Sequence, residues 1–297
     1  MAASPELHRM GLLFWITTLT VREPVDWTRA LTFSHSVREL NCLDGALTTD
    51  YQKVLSRFPK LIAVSIDSHG DVKSNAGRFA YCDVFSSLPG SLRRLEIRHA
   101  HGPDINVIST VKKYCPNLQE LWLGRCTMFN RTPACHFWET FPFDHNSYIS
   151  DEGTDAYAYS LGQELAPLLG LETLRLGVYL TPFSVVLAHR AFHSQSLPAP
   201  DVVDWQQAVP AGDGNAEPPQ NAIQVQNLVS LLHQRSVLEE SFSVDSCLFC
   251  QEQYYVATSA AEESASAILK ASIPSLHRVE WMGWFTPQHL RTTCLFP

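Results

Sequence analysis

The nine residues CPNLQELWL, 115–123, decide how this chain is read. Leu118, Leu121 and Leu123 follow the pattern apolar-x-x-apolar-x-apolar, directly after a Pro-Asn turn signal. Side chains alternate across a strand, so Leu121 and Leu123 share one face while Glu120 and Trp122 share the other. The pattern recurs in both directions. Upstream stand LPGSLRRLEI (88–97), with Leu92, Leu95 and Ile97, and then Leu61, Val64 and Ile66 behind Phe-Pro-Lys. Downstream, LLGLETLRL (168–176) carries Leu171, Leu174 and Leu176, and IPSLHRVEW (273–281) carries Leu276, Val279 and Trp281. Two weaker copies stand at the front, Val37/Leu40/Cys42 and Leu13/Ile16/Thr18.

The first positions of the copies from Leu13 to Leu118 are spaced 24, 24, 31 and 26 residues apart. Leucine-rich repeats have a period of about 20–29 residues. Ahead of three copies, Asp50–Phe58, Ile105–Tyr114 and Tyr159–Leu169 carry apolar residues at helical spacing, and each stops at a Pro or Gly. One helix-turn-strand unit cannot bury both its strand face and its helix stripe, so stacked neighbours must form the core. The expected fold is α/β: a leucine-rich-repeat β/α solenoid, one domain over 1–297. In it a curved array carries parallel strands on the concave face and helices on the convex face.

Periodicity weakens after Leu123. The copy at Leu171 begins 53 residues after Leu118, or two periods, and 129–156 reads as an insertion loop. The copy at Leu276 follows 105 residues later, about four periods. Within that gap 196–220 carries five Pro and two Gly and reads as a disordered loop. Helices are expected at 221–234 and 256–271, with an irregular strand in 238–248. The array then comprises seven visible strand copies and two or three irregular ones.

The 297 residues are 45% apolar and 18% charged, with a net charge of −8 and no basic run. Nucleic acid is therefore a poor partner for the chain. No stretch of 18 apolar residues exists, so no membrane-spanning helix is expected. MGLLFWITTLTV (10–21) has the length of a signal-peptide core, but Arg22, Glu23 and Pro24 follow it where a small-x-small cleavage site belongs. Eight cysteines are too sparse in a chain of this length for a disulfide scaffold, and most sit inside apolar patterns. The expected location is intracellular, cytoplasm or nucleus.

Cys247-Leu248-Phe249-Cys250 is the sharpest small motif. A zinc site needs two further ligands at short spacing, and a redox site needs a helix N-terminus to stabilise one thiolate. Neither is evident nearby, and Leu and Phe between the thiols favour a buried structural pair. Cys126, Cys135 and His136, near Asp144 and His145, are spaced irregularly for a metal site. Of the pairs His99/His101 and His189/His193, the second could share a helix face but lacks a completing carboxylate, so solvated histidines are expected, and Gly212-Asp213-Gly214 does not join a strand to a helix. No Gly-x-Ser-x-Gly or His-Glu-x-x-His motif occurs. No cofactor, metal or catalytic residue is expected.

TTLTVREPVDWTRALTFSHSVRELNC (17–42) resembles a segment of the fungal F-box/leucine-rich-repeat proteins, carried here by Arg22, Pro24, Asp26, Trp27, Val37, Arg38 and Leu40. LPGSLRRLEI, CPNLQELWL and IPSLHRVEW resemble their later repeats. The resemblance implies a substrate-recognition scaffold linked to a ubiquitin ligase. An F-box itself is not evident ahead of the first strand, where only SPEL (4–7) echoes its opening, so binding to the ligase adaptor is not carried over. The expected partner is a protein held on the concave face by Trp15, Arg94, Glu96, Arg98, Glu120, Trp122, Arg175 and Glu280. Arg and Trp dominate interface hot spots, which singles out the stripe around Arg94, Arg98 and Trp122. Two alternatives stand beside this: a metal- or redox-dependent protein using Cys247 and Cys250, and a truncated product without independent function.

Overall fold

Five strands enter the sheet through the same tight turn. In a computed structural model, which describes residues 4, 6, 11, 15–68, 86–100, 105–125, 154–178, 180, 256–282 and 290–296, the amide of each leading Leu bonds to the carbonyl three residues earlier. Leu61 reaches Phe58 (3.2 Å), Leu92 reaches Pro89 (3.1 Å), and Leu118, Leu171 and Leu276 reach Cys115, Leu168 and Ile273 (3.0 Å each). Pro59, Pro116 and Pro274 hold the second turn position, where a fixed φ pre-sets the bend. Ser91 and Ser275 hold the third position, and each Oγ donates to the leading Leu carbonyl of the preceding strand unit, Leu61 (2.7 Å) and Leu171 (2.9 Å). The turns therefore fix both the start of a strand and its register against its neighbour.

Eight strands follow in strict chain order across one open sheet: β1 (Thr18–Val21), β2 (Glu39–Cys42), β3 (Ala63–Asp67), β4 (Arg94–Ala100), β5 (Glu120–Arg125), β6 (Thr173–Leu176), β7 (Arg278–Met282) and β8 (Leu290–Leu295). β1 to β7 are parallel, and β8 turns back antiparallel on β7. Between them lie α1 (Asp26–Thr32), α2 (Ile105–Tyr114), α3 (Thr154–Leu165) and α4 (Val256–Ser272). Val107, Ile108 and Val111 of α2, Leu161 and Leu165 of α3, and Ala265 and Leu269 of α4 belong to one buried cluster with the strand leucines. The helices thus cover one sheet face. The leading positions Ile16, Val37, Leu61, Leu92, Leu118, Leu171 and Leu276 are all buried in this cluster or beside it.

Helices pack in the same order as strands. Lys112 of α2 pairs with Glu164 of α3 at 2.6 Å, and Ser264 of α4 donates to Asp155 of α3 at 2.9 Å. Gly162 lets α3 approach α4 closely, since a Cβ there would lie 2.7 Å from Ser272 Oγ. Buried indoles find acceptors: Trp27 Nε1 donates to the Ala46 carbonyl and Trp281 Nε1 to Ser266 Oγ, both at 2.8 Å. Such pairing avoids the cost of an unsatisfied buried donor.

Several expectations change. The first copy is Ile16/Leu19/Val21, because Leu19 pairs with Leu40 and Val21 with Cys42. Both readings fit the sequence pattern there, but only this one places an apolar residue at every position of the core face. Residues 50–58 form two single 3-10 turns, Thr49–Tyr51 and Leu55–Arg57, instead of a helix. Trp27 packs in that layer against Tyr51 and Phe58, with ring centroids 6.2 and 6.1 Å away. The helix placed at 159–169 runs over Thr154–Leu165, and so includes the last residues of the stretch 129–156.

β6 pairs directly with β7, Leu174 beside Val279 and Leu176 beside Trp281. The copies at Leu171 and Leu276 are therefore neighbours in the sheet, with no strand hydrogen-bonded between them, although 105 residues separate them in sequence. Likewise β5 pairs directly with β6 across the 53-residue spacing. The loop 196–220, the helix at 221–234, the strand in 238–248 and most of 129–156 lie outside the described residues. No helix among the described residues is long and apolar enough to cross a membrane.

Candidate functional site

Parallel pairing with uniform register lines up the positions between the apolar residues. On the sheet face away from the helices, one row reads Thr18, Glu39, Ala63, Arg94, Glu120, Thr173 and Arg278. The next reads Thr20, Asn41, Ser65, Glu96, Trp122, Arg175 and Glu280. Beyond it, Arg98 stands beside Asp67. Seven of the eight residues singled out in the sequence are therefore brought onto one open face. Trp15 is not. It precedes β1 in a helical turn, exposed, with the Arg29 guanidinium 5.6 Å from its ring centroid. The corrected register of the first copy is what removes it from the sheet.

Trp122 is the centre of the arrangement. The Arg98 guanidinium lies 6.0 Å from its ring centroid and that of Arg175 5.7 Å, both within cation–π range. Each arginine is in turn held by a carboxylate. Arg98 pairs through Nε with Glu96, two residues back on the same strand and face. Arg175 Nε lies 3.0 Å from Glu280 Oε2, and Arg278 Nε pairs with Glu280 Oε1. Glu280 is buried, and two guanidinium groups offset the cost of taking its charge out of water. Arg278 was not among the selected residues; its place two positions before Glu280, on the same face, was the available signal.

Beside the indole on its own strand, residue 124 is glycine, which the close approach of β4 requires. A Cβ there would stand 3.5 Å from Trp122 Nε1 and, more severely, 2.6 Å from the Ile97 carbonyl. Polar atoms without a well-directed hydrogen bond gather in this one row: Ser65 Oγ, Trp122 Nε1, Arg175 Nε and Glu280 Oε1 are all buried and all on it. For Arg175 and Glu280 the ion-pair distances are short but the angles are poor, so they attract without closing a good hydrogen bond.

Flanking groups extend the network. Arg94 reaches across the small Ala63 to Glu39 at 3.7 Å, an exposed pair of little energetic weight. Glu120 lies beside Arg94 in the row. His99 Nδ1 stands 3.1 Å from Asp67 Oδ1, and His99 adopts φ 52° where the register between β4 and β5 shifts. A left-handed histidine at such a bulge turns its ring toward Asp67 at a cost of about 1–3 kcal/mol. Its sequence neighbour His101 lies outside the described residues.

Among the described residues no three metal-ligating side chains converge. Cys247 and Cys250, Cys126, Cys135 and His136, and His189 and His193 lie outside them. Burial pushes the Cys42 and Cys115 thiols up to about 12, where they act as small apolar side chains. What the open face offers is an indole flanked by guanidinium groups. No protein-family model matches the chain, and no curated protein or solved structure matches it either.

Proposed function

We propose that the chain is a non-catalytic protein-interaction scaffold, a leucine-rich-repeat solenoid that holds another protein against the open face of its sheet. The observation that carries this is Trp122, set between Arg98 and Arg175 at the middle of a rigid parallel sheet. Tryptophan and arginine are the residues most enriched where binding energy concentrates, and a sheet positions them more precisely than loops do. The resemblance of 17–42 and the repeat segments to F-box/leucine-rich-repeat proteins extends the reading to an intracellular substrate receptor of a ubiquitin ligase.

Affinity capture with the wild-type chain and with Arg94→Ala/Trp122→Ala tests the proposal. Partners recovered by the wild type are expected to be lost from the variant, while both retain the same far-ultraviolet circular dichroism. Identical partner sets refute the open-face site. Partners that include no ligase adaptor or cullin subunit leave the scaffold reading and remove the ligase one.

A further inference from the structure

We propose that the open-face cluster takes an acidic peptide segment of its partner, with carboxylates seated on the guanidinium groups around Trp122. The inference rests on the reading of this face as a protein-binding surface and names the chemistry it selects. By count the cluster is nearly balanced, with Arg98, Arg175 and Arg278 against Glu96 and Glu280. By depth it is not. The arginine side chains are 41%, 30% and 46% exposed, and the two glutamates only 15% and 4%. Around Trp122 a partner meets these guanidinium groups before the two carboxylates that hold them, while Glu39 and Glu120 lie in the neighbouring row with Arg94.

Those carboxylates buttress the forks without using them up. All three arginines are held through Nε. A guanidinium carries five N–H donors, four of them on the two terminal nitrogens, which suit a bidentate carboxylate. Trp122 Nε1 adds a buried donor without a well-directed acceptor in the same row. Buried donors are nearly always satisfied in native complexes. The complement to this surface is an acceptor with negative charge.

A discrete carboxylate fits better than a polyanion. The whole chain carries −8, a long-range field that opposes nucleic acid. Each arginine also has a protein counter-charge, so few ions would be released by a phosphate backbone. Distances favour an extended peptide lying across the strands. The Arg98 and Arg175 guanidinium groups lie 6.0 and 5.7 Å from the Trp122 ring centroid and so no more than about 12 Å from each other, while residues i and i+2 or i+4 of an extended chain span about 7 or 13 Å. Acidic side chains two or four residues apart therefore reach the arginines from one face of the peptide.

The test is a phage-displayed random-peptide selection on the full chain, followed by synthetic peptides in solution. Selected sequences are expected to be enriched in Asp and Glu at two- or four-residue spacing. Replacing those acids by Asn or Gln in the peptide should weaken binding to the wild-type chain at least tenfold, as should Arg98→Ala/Arg175→Ala in the protein. The peptide-side substitution decides the matter even if the protein variant does not fold. Peptides lost on Trp122→Ala but indifferent to removal of their acids overturn the acidic chemistry and keep the binding face. Peptides indifferent to Trp122→Ala overturn the binding face itself. A single-stranded oligonucleotide that competes as well as the acidic peptide overturns the choice of a peptide over a polyanion.

Discussion

Leu121 and Trp122 are adjacent in sequence and belong to opposite faces of the sheet, and the two faces are built on different principles. On the core face every strand supplies the same chemistry. The row through Leu121 reads Leu40, Val64, Leu95, Leu121, Leu174 and Val279, so any strand could nearly stand in for any other. On the open face no two adjacent positions match, and each side chain is placed by a particular neighbour: Arg94 by the smallness of Ala63, Trp122 by the guanidinium groups of Arg98 and Arg175, Arg175 by buried Glu280. Repetition specifies the scaffold, because stacking needs only apolar volume at fixed spacing. Departure from repetition specifies the site.

The sharpest way to break that comparison is to truncate both neighbours. Leu121→Ala removes a fully buried side chain from a close-packed row and is expected to cost about 2–5 kcal/mol in urea unfolding. Trp122→Ala should cost less than half as much in the same assay despite deleting a larger side chain, because its contacts are half-solvated and its partners remain paired with Glu96 and Glu280. Equal losses would mean that the open face is structural. A smaller effect tests the close approach of strand ends on which the shared register depends. A Cβ on Gly177 would stand 2.6 Å from the Arg125 amide and 2.9 Å from the Leu123 carbonyl, both backbone atoms that cannot swing away. Gly177→Ala should therefore destabilise by about 1–3 kcal/mol through overpacking. Smaller again is Ser275→Ala, which removes the hydrogen bond to the Leu171 carbonyl and is expected to cost about 1 kcal/mol. An unchanged unfolding midpoint would show that the turn, and not the serine, sets the register.

The same division explains what was legible in the sequence. Core-face strands were readable because three apolar positions at fixed spacing recur, and because Pro or Gly punctuates the entry to five of them. α2 was readable over its full length, Ile105–Tyr114, since the apolar residues fall at helical spacing and Pro116 blocks continuation. Residues 50–58 misled because 3-10 turns bury positions three apart much as a helix does. β8 gave no repeat signal, since it is antiparallel and belongs to no helix-turn-strand unit. The direct junction of β6 with β7 was hidden because a count of residues assumes that every period adds a strand. On the open face, alternation identified which residues share a side but not which of them pair. The holds of Arg98 on Glu96 and of Arg175 and Arg278 on Glu280 depend on side-chain reach, which no pattern of letters contains.

One element belongs to neither face and isolates a purely local contribution. Asp26 opens α1, and its Oδ2 accepts the amides of Arg22 (2.9 Å) and Glu23 (3.2 Å), closing the Arg-Glu-Pro turn between β1 and the helix. These two backbone donors hold its carboxyl below the usual carboxylate range, since both bonds are stronger to the charged form. A carboxyl lowered in the folded state binds protons more weakly there than in the unfolded chain. Its contribution is therefore complete above the unfolded value of about 3.9 and is lost as pH falls through the lower folded value. Asp26→Asn keeps the acceptor and removes the charge, so it should lower the urea midpoint slightly at neutral pH. The difference from wild type should shrink as the buffer is taken below about pH 4 and vanish once the wild-type carboxyl is protonated. Because Asp26 is solvated, the effect is the smallest of the series. A gap between the two midpoints that is constant across that range would assign the loss to changed packing at α1, and a gap that closes assigns it to the charge on the turn.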